Sequence, residues 1–516
     1  MIDFTPSRPR AIQAAAVRTA SALRNVFPRL VATLSVTIAL VATGLVLLPQ
    51  AAQADTAPAA GLPETASTDV LPTVQINGVV WDQAIVGNTV YVAGEFTTAR
   101  PAGAAEGVNT VPRANMLAYN LTTGVLINGF APSFNAQVRS IAASPDGTKL
   151  YAGGNFTTVN GTNRYRVAAL NASTGALITS FAPTVNGPVS TVGLSNGSLF
   201  IGGNFPSVKV GLVTSARVKL ASFNAANGAL LPWTPTPGDG TVQSLTVSPD
   251  GSKVAVGGSF TTFNGSGNPG YGLSLVDSTN GANLPLAANA QIRNGGAQSA
   301  ILSLKGDADG FYGSGYHFGA GGNVEGSFQI DWSGQLKWVE DCHGDTYDIA
   351  PAGDVVYSAS HKHYCGNIGT GGFPQTSPTW TFNRGTATTK FATGISKPDP
   401  YGYADHRGEP SPTLLNFFPD ISAGSYTGKT QGAWSVEANS QYVLYGGEFP
   451  RVNNKPQQGL VRMAVKTIAP NLDGPRLSGA AMNPTLNSYA RGTVGISWPG
   501  NTDRDNSRLT YKVYRG

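Results

Sequence analysis

Of 516 residues, 64 are Gly and 34 are Pro, 41% are hydrophobic and only 12% are charged, about half the ionic share of an ordinary globular chain; this apolar content excludes a disordered chain. The net charge of +5 sits mostly in residues 1–54, where Arg8, Arg10, Arg18, Arg24 and Arg29 face the single acid Asp3. The near-neutral remainder offers no basic face to a nucleic-acid backbone, and two Cys exclude a disulfide-dense scaffold or a zinc-finger array.

Residues 1–54 read as a signal peptide. The Arg-bearing start leads into an uncharged apolar run over residues 30–48, then Pro49 and the small-residue site Ala52-Gln53-Ala54. This order is that of a secretory signal cut after Ala54, and without an Arg-Arg pair the general route is favoured over the twin-arginine one. An uncleaved anchor is the alternative, because the apolar run is long enough to span a bilayer. Either way the remainder lies outside the cytoplasm, secreted or at the cell surface. Residues 55–70 read as a linker.

Residues 71–468 repeat one pattern about seven times. A Gly-Gly-x-Phe core stands at residues 153–156, 202–205, 257–260 and 446–449, with the variant Gly94-Glu95-Phe96 opening the series. Two weaker copies fit the gap between Phe260 and Phe449, around Tyr316-His317-Phe318 and Ser360-His361. Each copy reads as four short strands. The first ends in a turn such as Ser144-Pro145-Asp146-Gly147, and the second carries the Gly pair, which implies another backbone passing close by. The third is a run like residues 166–171, and a Thr-Gly or Asn-Gly turn leads to the fourth. No helical period is sustained. The expectation is an all-β fold: a β-propeller of about seven four-stranded blades, closed by pairing residues 73–77 with the last blade.

The phrase GGNFTTVNGTNRYRVAALNASTGAL resembles the delta-sixty-type β-propeller repeats of secreted actinobacterial proteins, over about four-fifths of the chain. The resemblance implies fold and export, and no activity. Residues 469–484 then form a connector. Residues 485–516, with Trp498 on one strand and a Leu-Thr-Tyr-Lys-Val-Tyr run on another, resemble the first half of a fibronectin type III sandwich, incomplete at this length. Asp503-Arg504-Asp505-Asn506 between them has oxygen ligands at alternate positions but lacks a calcium-loop pattern, and reads as an inter-strand loop.

All five His and both Cys fall between residues 317 and 406. Residues 345–350 and 355–361 read as a hairpin turning at 351–354, which places Cys342 and Cys365 opposite each other at its open end. In an exported protein this predicts a disulfide. The alternative is a zinc site using His361 and His363, which face the same way on a strand; adjacent Cys342 and His343 would point apart, which counts against it, and no cofactor is expected. Acids cluster at Glu340, Asp341, Asp345 and Asp348, with Asp405, His406, Arg407 and Glu409 in a later insertion. Glycan cleavage would need two of these carboxylates across one bond, and Asp345, Asp348, Asp405 and His406 are the candidate catalytic residues. No phosphate loop, H-E-x-x-H or G-x-S-x-G occurs.

Three readings follow. One is a secreted binding or scaffold module for a glycan, cell-wall polymer or protein, monomeric and without nucleic-acid partners. The second is an extracellular glycan-cleaving hydrolase or lyase, and the third is a structural spacer. Convergence of Asp345, Asp348, His361, Asp405 and His406 at one channel mouth would favour the enzyme. Scatter would favour binding or spacing.

Overall fold

The structure, a computed structural model, describes residues 58–469 and 472–514. The signal peptide expected at residues 1–54 lies outside them, and no helix among the described residues is long and apolar enough to cross a membrane. The described chain is nearly all-β, with two four-residue 3-10 turns as its helical content, and falls into two compact units.

The larger unit, residues 56–473 with 504–508, is a β-propeller-type succession of antiparallel sheets. Seven strands begin these sheets: Val79–Val86, Val138–Ala143, Val189–Ser195, Val242–Val247, Ser299–Asp307, Thr346–Ala352 and Ala433–Ala438. Each pairs with the strand after it, which pairs in turn with a third. Each first strand lies beside the first strand of the following sheet, and that of the seventh lies beside that of the first. The core sits between successive sheets: Tyr91, Ala93 and Met116 of the first pack on Ile141, Leu150 and Phe156 of the second. Tyr442, Leu444 and Leu460 of the seventh pack on Val80, Val90 and Leu117 of the first.

The Gly pair has the packing reason expected of it. A Cβ on Gly153 would come within 2.6 Å of Val189 in the next sheet, and one on Gly154 within 2.4 Å of the Gln137 carbonyl. Gly446 plays the first part against Val80, 2.5 Å from its missing Cβ. The pair thus lets the seventh sheet reach the first. Phe156 beside the pair is fully buried.

Three features differ from expectation. Among the described residues, a hydrogen-bonded fourth strand exists only in the fifth sheet, as Leu336–Glu340; elsewhere it shrinks to single bridges such as Leu170↔Leu177 and Phe223↔Leu230. A short hairpin branches out between second and third strands, as at Thr158–Val159 and Thr162–Asn163, where Asn160 and Gly161 both take positive φ. Finally, closure uses residues upstream of 73–77 as well as that segment, whose Ile76 N–H donates to the Gln458 carbonyl at 3.3 Å and whose Thr73 carbonyl accepts from Gln457 Nε2 at 3.1 Å. Ser67 N–H donates to the Ala464 carbonyl at 2.9 Å and Leu71 N–H to that of Arg462 at 3.0 Å, while Gln75–Ile76 pairs with Thr98–Arg100. Residues 65–69, expected in a linker, are therefore buried.

Residues 504–506 are built into the same corner rather than left in a loop. Thr68 donates from its backbone N–H and its hydroxyl to Asp505 Oδ2, at 2.5 and 3.2 Å, and Arg504 pairs with Asp473. The smaller unit contains one described hairpin, Thr485–Ala490 with Thr493–Ser497, and a ring contact between Trp498 and Tyr511.

Candidate functional site

Every first strand carries a β-bulge near its start. The residue after the bulge is Asp82, Ser140, Thr191, Ser244, Ser303, Asp348 or Ser435, an oxygen-bearing side chain each time. Four of these oxygens accept a backbone N–H from the next sheet: Asp82 from Ile141 at 2.8 Å, Ser140 from Val192 and Thr191 from Leu245 at 3.2 Å, and Asp348 from Val436 at 2.9 Å. The Ser303 hydroxyl adds a bond to Asp348 Oδ1 at 2.6 Å. Asp348, a candidate catalytic acid, is thus a stitch between the sixth and seventh sheets.

The loops entering the sixth and seventh sheets, and those leaving the second strands of the fifth and sixth, meet over a separate pocket of about 440 Å³. Glu325, Asp345, His361, His363, Trp380 and Arg384 line it together with Phe382, Lys429 and Gln431. Trp380 lies flat on His363, ring centres 4.1 Å apart, and stays 43% exposed. Phe382 stands edge-on to both His361 and His363 and is also exposed.

Two acids face this pocket from below. Burial lifts Asp345 to about 7, against a hydrogen bond from Tyr347. Burial also lifts Glu325 to about 7, against the Gly344 N–H that its Oε2 accepts at 2.7 Å. His361 has the opposite shift for the same cause, pulled down to about 4 by burial although Gln431 acts against it. Its Nδ1 is 2.6 Å from the Tyr347 hydroxyl. Near neutral pH the pocket therefore combines neutral imidazole, poised carboxyls and the cations of Arg384 and Lys429 beside an open aromatic plane.

The floor is rigid. Cys342 and Cys365 form the expected disulfide, across the open end of the hairpin Thr346–Ala352 and Val355–Lys362. Bonded sulfurs are not thiolate ligands, so the cluster of Glu340 with the two Cys does not suit zinc. Glu340 is instead paired with Lys362 Nζ at 2.8 Å, both fully buried. His363 uses its Nδ1 against Gln375 Oε1 at 3.1 Å.

The candidate acids are scattered. Asp345 and His361 face the pocket, with 4.0 Å between His361 Nε2 and the Asp345 carboxyl; Asp348 stitches sheets. Asp405 is paired with Arg407, which holds its carboxyl below the ordinary range. Buried His406 has its Nε2 2.6 Å from the Asn323 carbonyl. Sequence reasoning missed Glu325, Trp380, Phe382 and Arg384. The signal available was two large aromatics, Trp380 and Phe382, in the polar stretch TSPTWTFN, where no core requires them.

No protein-family model matches the chain, and no curated protein matches it. Solved structures similar to it include the computationally designed Ika8 protein, at 10% identity and a TM-score of 0.41 over 78% of this chain and 100% of that one. The β-propeller domain of Myceliophteria thermophila Cps50 (Swd1) gives 10% identity and 0.39 over 78% and 99%. The WD40 β-propeller domain of Doa1 gives 12% and 0.36 over 77% and 97%.

Proposed function

We propose that this chain is an exported binding module whose seven sheets act as the blades of one closed ring, and that the pocket beside Trp380 takes a glycan. Closure is supported by the cyclic succession of first strands, export by a disulfide that persists in oxidising compartments. The observation that carries the ligand class is Trp380 itself: a large ring held flat on His363, open to solvent, with Arg384, Lys429 and Gln431 around it. The C–H face of a sugar ring stacks on such a plane, while its hydroxyls take up the polar neighbours. Retention of the chain on polysaccharides and bacterial cell walls tests the reading. Trp380→Ala should abolish retention and leave the unfolding temperature unchanged; equal retention by both proteins refutes it.

A second reading, glycan cleavage, is favoured by one observation: Glu325 and Asp345 share the pocket and both lie near 7, where a carboxyl serves as general acid. Release of new reducing or unsaturated ends by the wild type, lost in Glu325→Gln with binding kept, would establish it. Binding without any release by the wild type leaves the module reading in place.

A further inference from the structure

The repeated bulge separates two positions that behave differently along the chain. The residue after it is Asp, Ser or Thr in every sheet, as the stitching of sheets demands. The bulge residue itself changes from sheet to sheet: Trp81, Arg139, Ser190, Gln243, Leu302, Tyr347 and Trp434. A scaffold position repeated for packing keeps one kind of side chain, whereas a bulge re-aims an extra residue and is a usual device beside binding sites. All seven bulge residues line one cavity of about 440 Å³ at the centre of the sheet succession.

That ring has two unlike arcs. Tyr347 and Trp434 from the sixth and seventh sheets have ring centres 4.5 Å apart, and Trp81 of the first stands edge-on to Trp434 at 5.5 Å. Opposite them in chain order come Arg139, Ser190 and Gln243. The cavity's charged groups already have protein partners: Lys305 pairs with Glu437 at 2.9 Å, Asp82 and Asp348 accept backbone N–H groups, and Arg139 lies over the Trp81 ring. Two polar side chains at the wall are open to it instead: Ser190 and Gln243 line the cavity and are only half-buried, so a hydroxyl and an amide face the same space as the aromatic arc.

We propose that the channel mouth ringed by the bulge residues is a second ligand site, separate from the pocket at Trp380, and that it takes one neutral pyranose residue. The aromatic arc meets the sugar's C–H face, and ligand hydroxyls, each donor and acceptor at once, bond to the Ser190 hydroxyl and the Gln243 amide. This inference stands on the bulge ring alone and does not need the reading of the Trp380 pocket.

The test is saturation-transfer NMR with titration calorimetry on the full chain, using glucose, galactose and N-acetylglucosamine as probes and tetramethylammonium and acetate as charged controls. At least one sugar should bind with a Kd of about 1 mM. Binding should persist in Trp380→Ala, which removes only the other pocket, and in that background affinity should fall about tenfold on adding Gln243→Ala, whose lost amide makes no hydrogen bond to the protein, or Trp434→Phe. Binding by none of the three sugars overturns the proposal, as do charged controls that bind more tightly. Sugar binding lost in Trp380→Ala but kept in Gln243→Ala also overturns it, while leaving the glycan pocket standing.

Discussion

Asp345 and Asp348 lie three residues apart and serve opposite purposes. Asp348 accepts bonds from Ser303 and from the Val436 N–H, so Asp348→Ala leaves a buried donor unpaired and should lower stability by about 2–4 kcal/mol, read as a fall in the denaturation midpoint. Asp345 is a carboxyl that burial holds at about 7, so between pH 4 and 7 the unfolded chain ionises while the folded one keeps its proton. Stability from this group is whole below pH 4, falls as pH rises, and levels off above 7. Asp345→Asn, which cannot ionise, should match the wild type at pH 4 and exceed it at pH 8, by up to about 4 kcal/mol. Thermal unfolding of both proteins across that range checks the sign; a variant less stable at pH 8 would contradict it. The bulge at Tyr347 that sends the two acids to different tasks depends on pairing with Val355–Lys362, which the residues alone do not announce.

Elements legible in the sequence are those whose residues the packing forces. Gly153, Gly154 and Phe156 recur because no Cβ fits against Val189 or the Gln137 carbonyl, and only a large apolar side chain fills the space between sheets. The disulfide was legible too, because a hairpin's register fixes which residues meet at its open end. The loop over residues 363–382 was not: it shares its pocket with Glu325, Arg384 and Gln431, which come from three other segments and obey no repeat. That loop is held at its base by Cys365 and, just before it, by Lys362 on Glu340. Lys362→Met alone strands a buried carboxylate and should cost about 3–5 kcal/mol, whereas Lys362→Met with Glu340→Leu should recover most of it. Chemical denaturation of the two variants decides whether the pair is a structural clamp. Equal losses would show that packing around Lys362, rather than its charge, holds the sheets.

At the scale of the whole molecule, the seventh sheet is completed by a segment from the other end of the described chain. Ser67 and Leu71 pair with Ala464 and Arg462, Asp505 accepts from Thr68, and Asp69 accepts the N–H groups of Leu472 and Asp473 at 3.0 Å. The strand Leu460–Ala464 would otherwise be an open edge, a template for pairing with another chain. This junction also carries the longest loop closure in the fold, so its contacts form only after the intervening sheets have brought both ends together. Starting the chain at Thr73 should therefore do two things at once. It should lower the unfolding temperature by several degrees, since even a loss of about 1–2 kcal/mol is a large share of a domain's stability. It should also produce concentration-dependent association through the bared edge, seen by light scattering. Adding back a peptide of residues 58–72 should reverse both effects, because it supplies the missing strand without a covalent link. A truncated chain that melts like the full one and stays dispersed would mean that the hydrophobic contact of Tyr442, Leu444 and Leu460 with Val80, Val90 and Leu117, with the bonds of Thr73, Gln75 and Ile76 to Gln457 and Gln458, holds the ends together without that segment. Residues 58–72 would then be a cover on the last sheet and not what holds the two ends together.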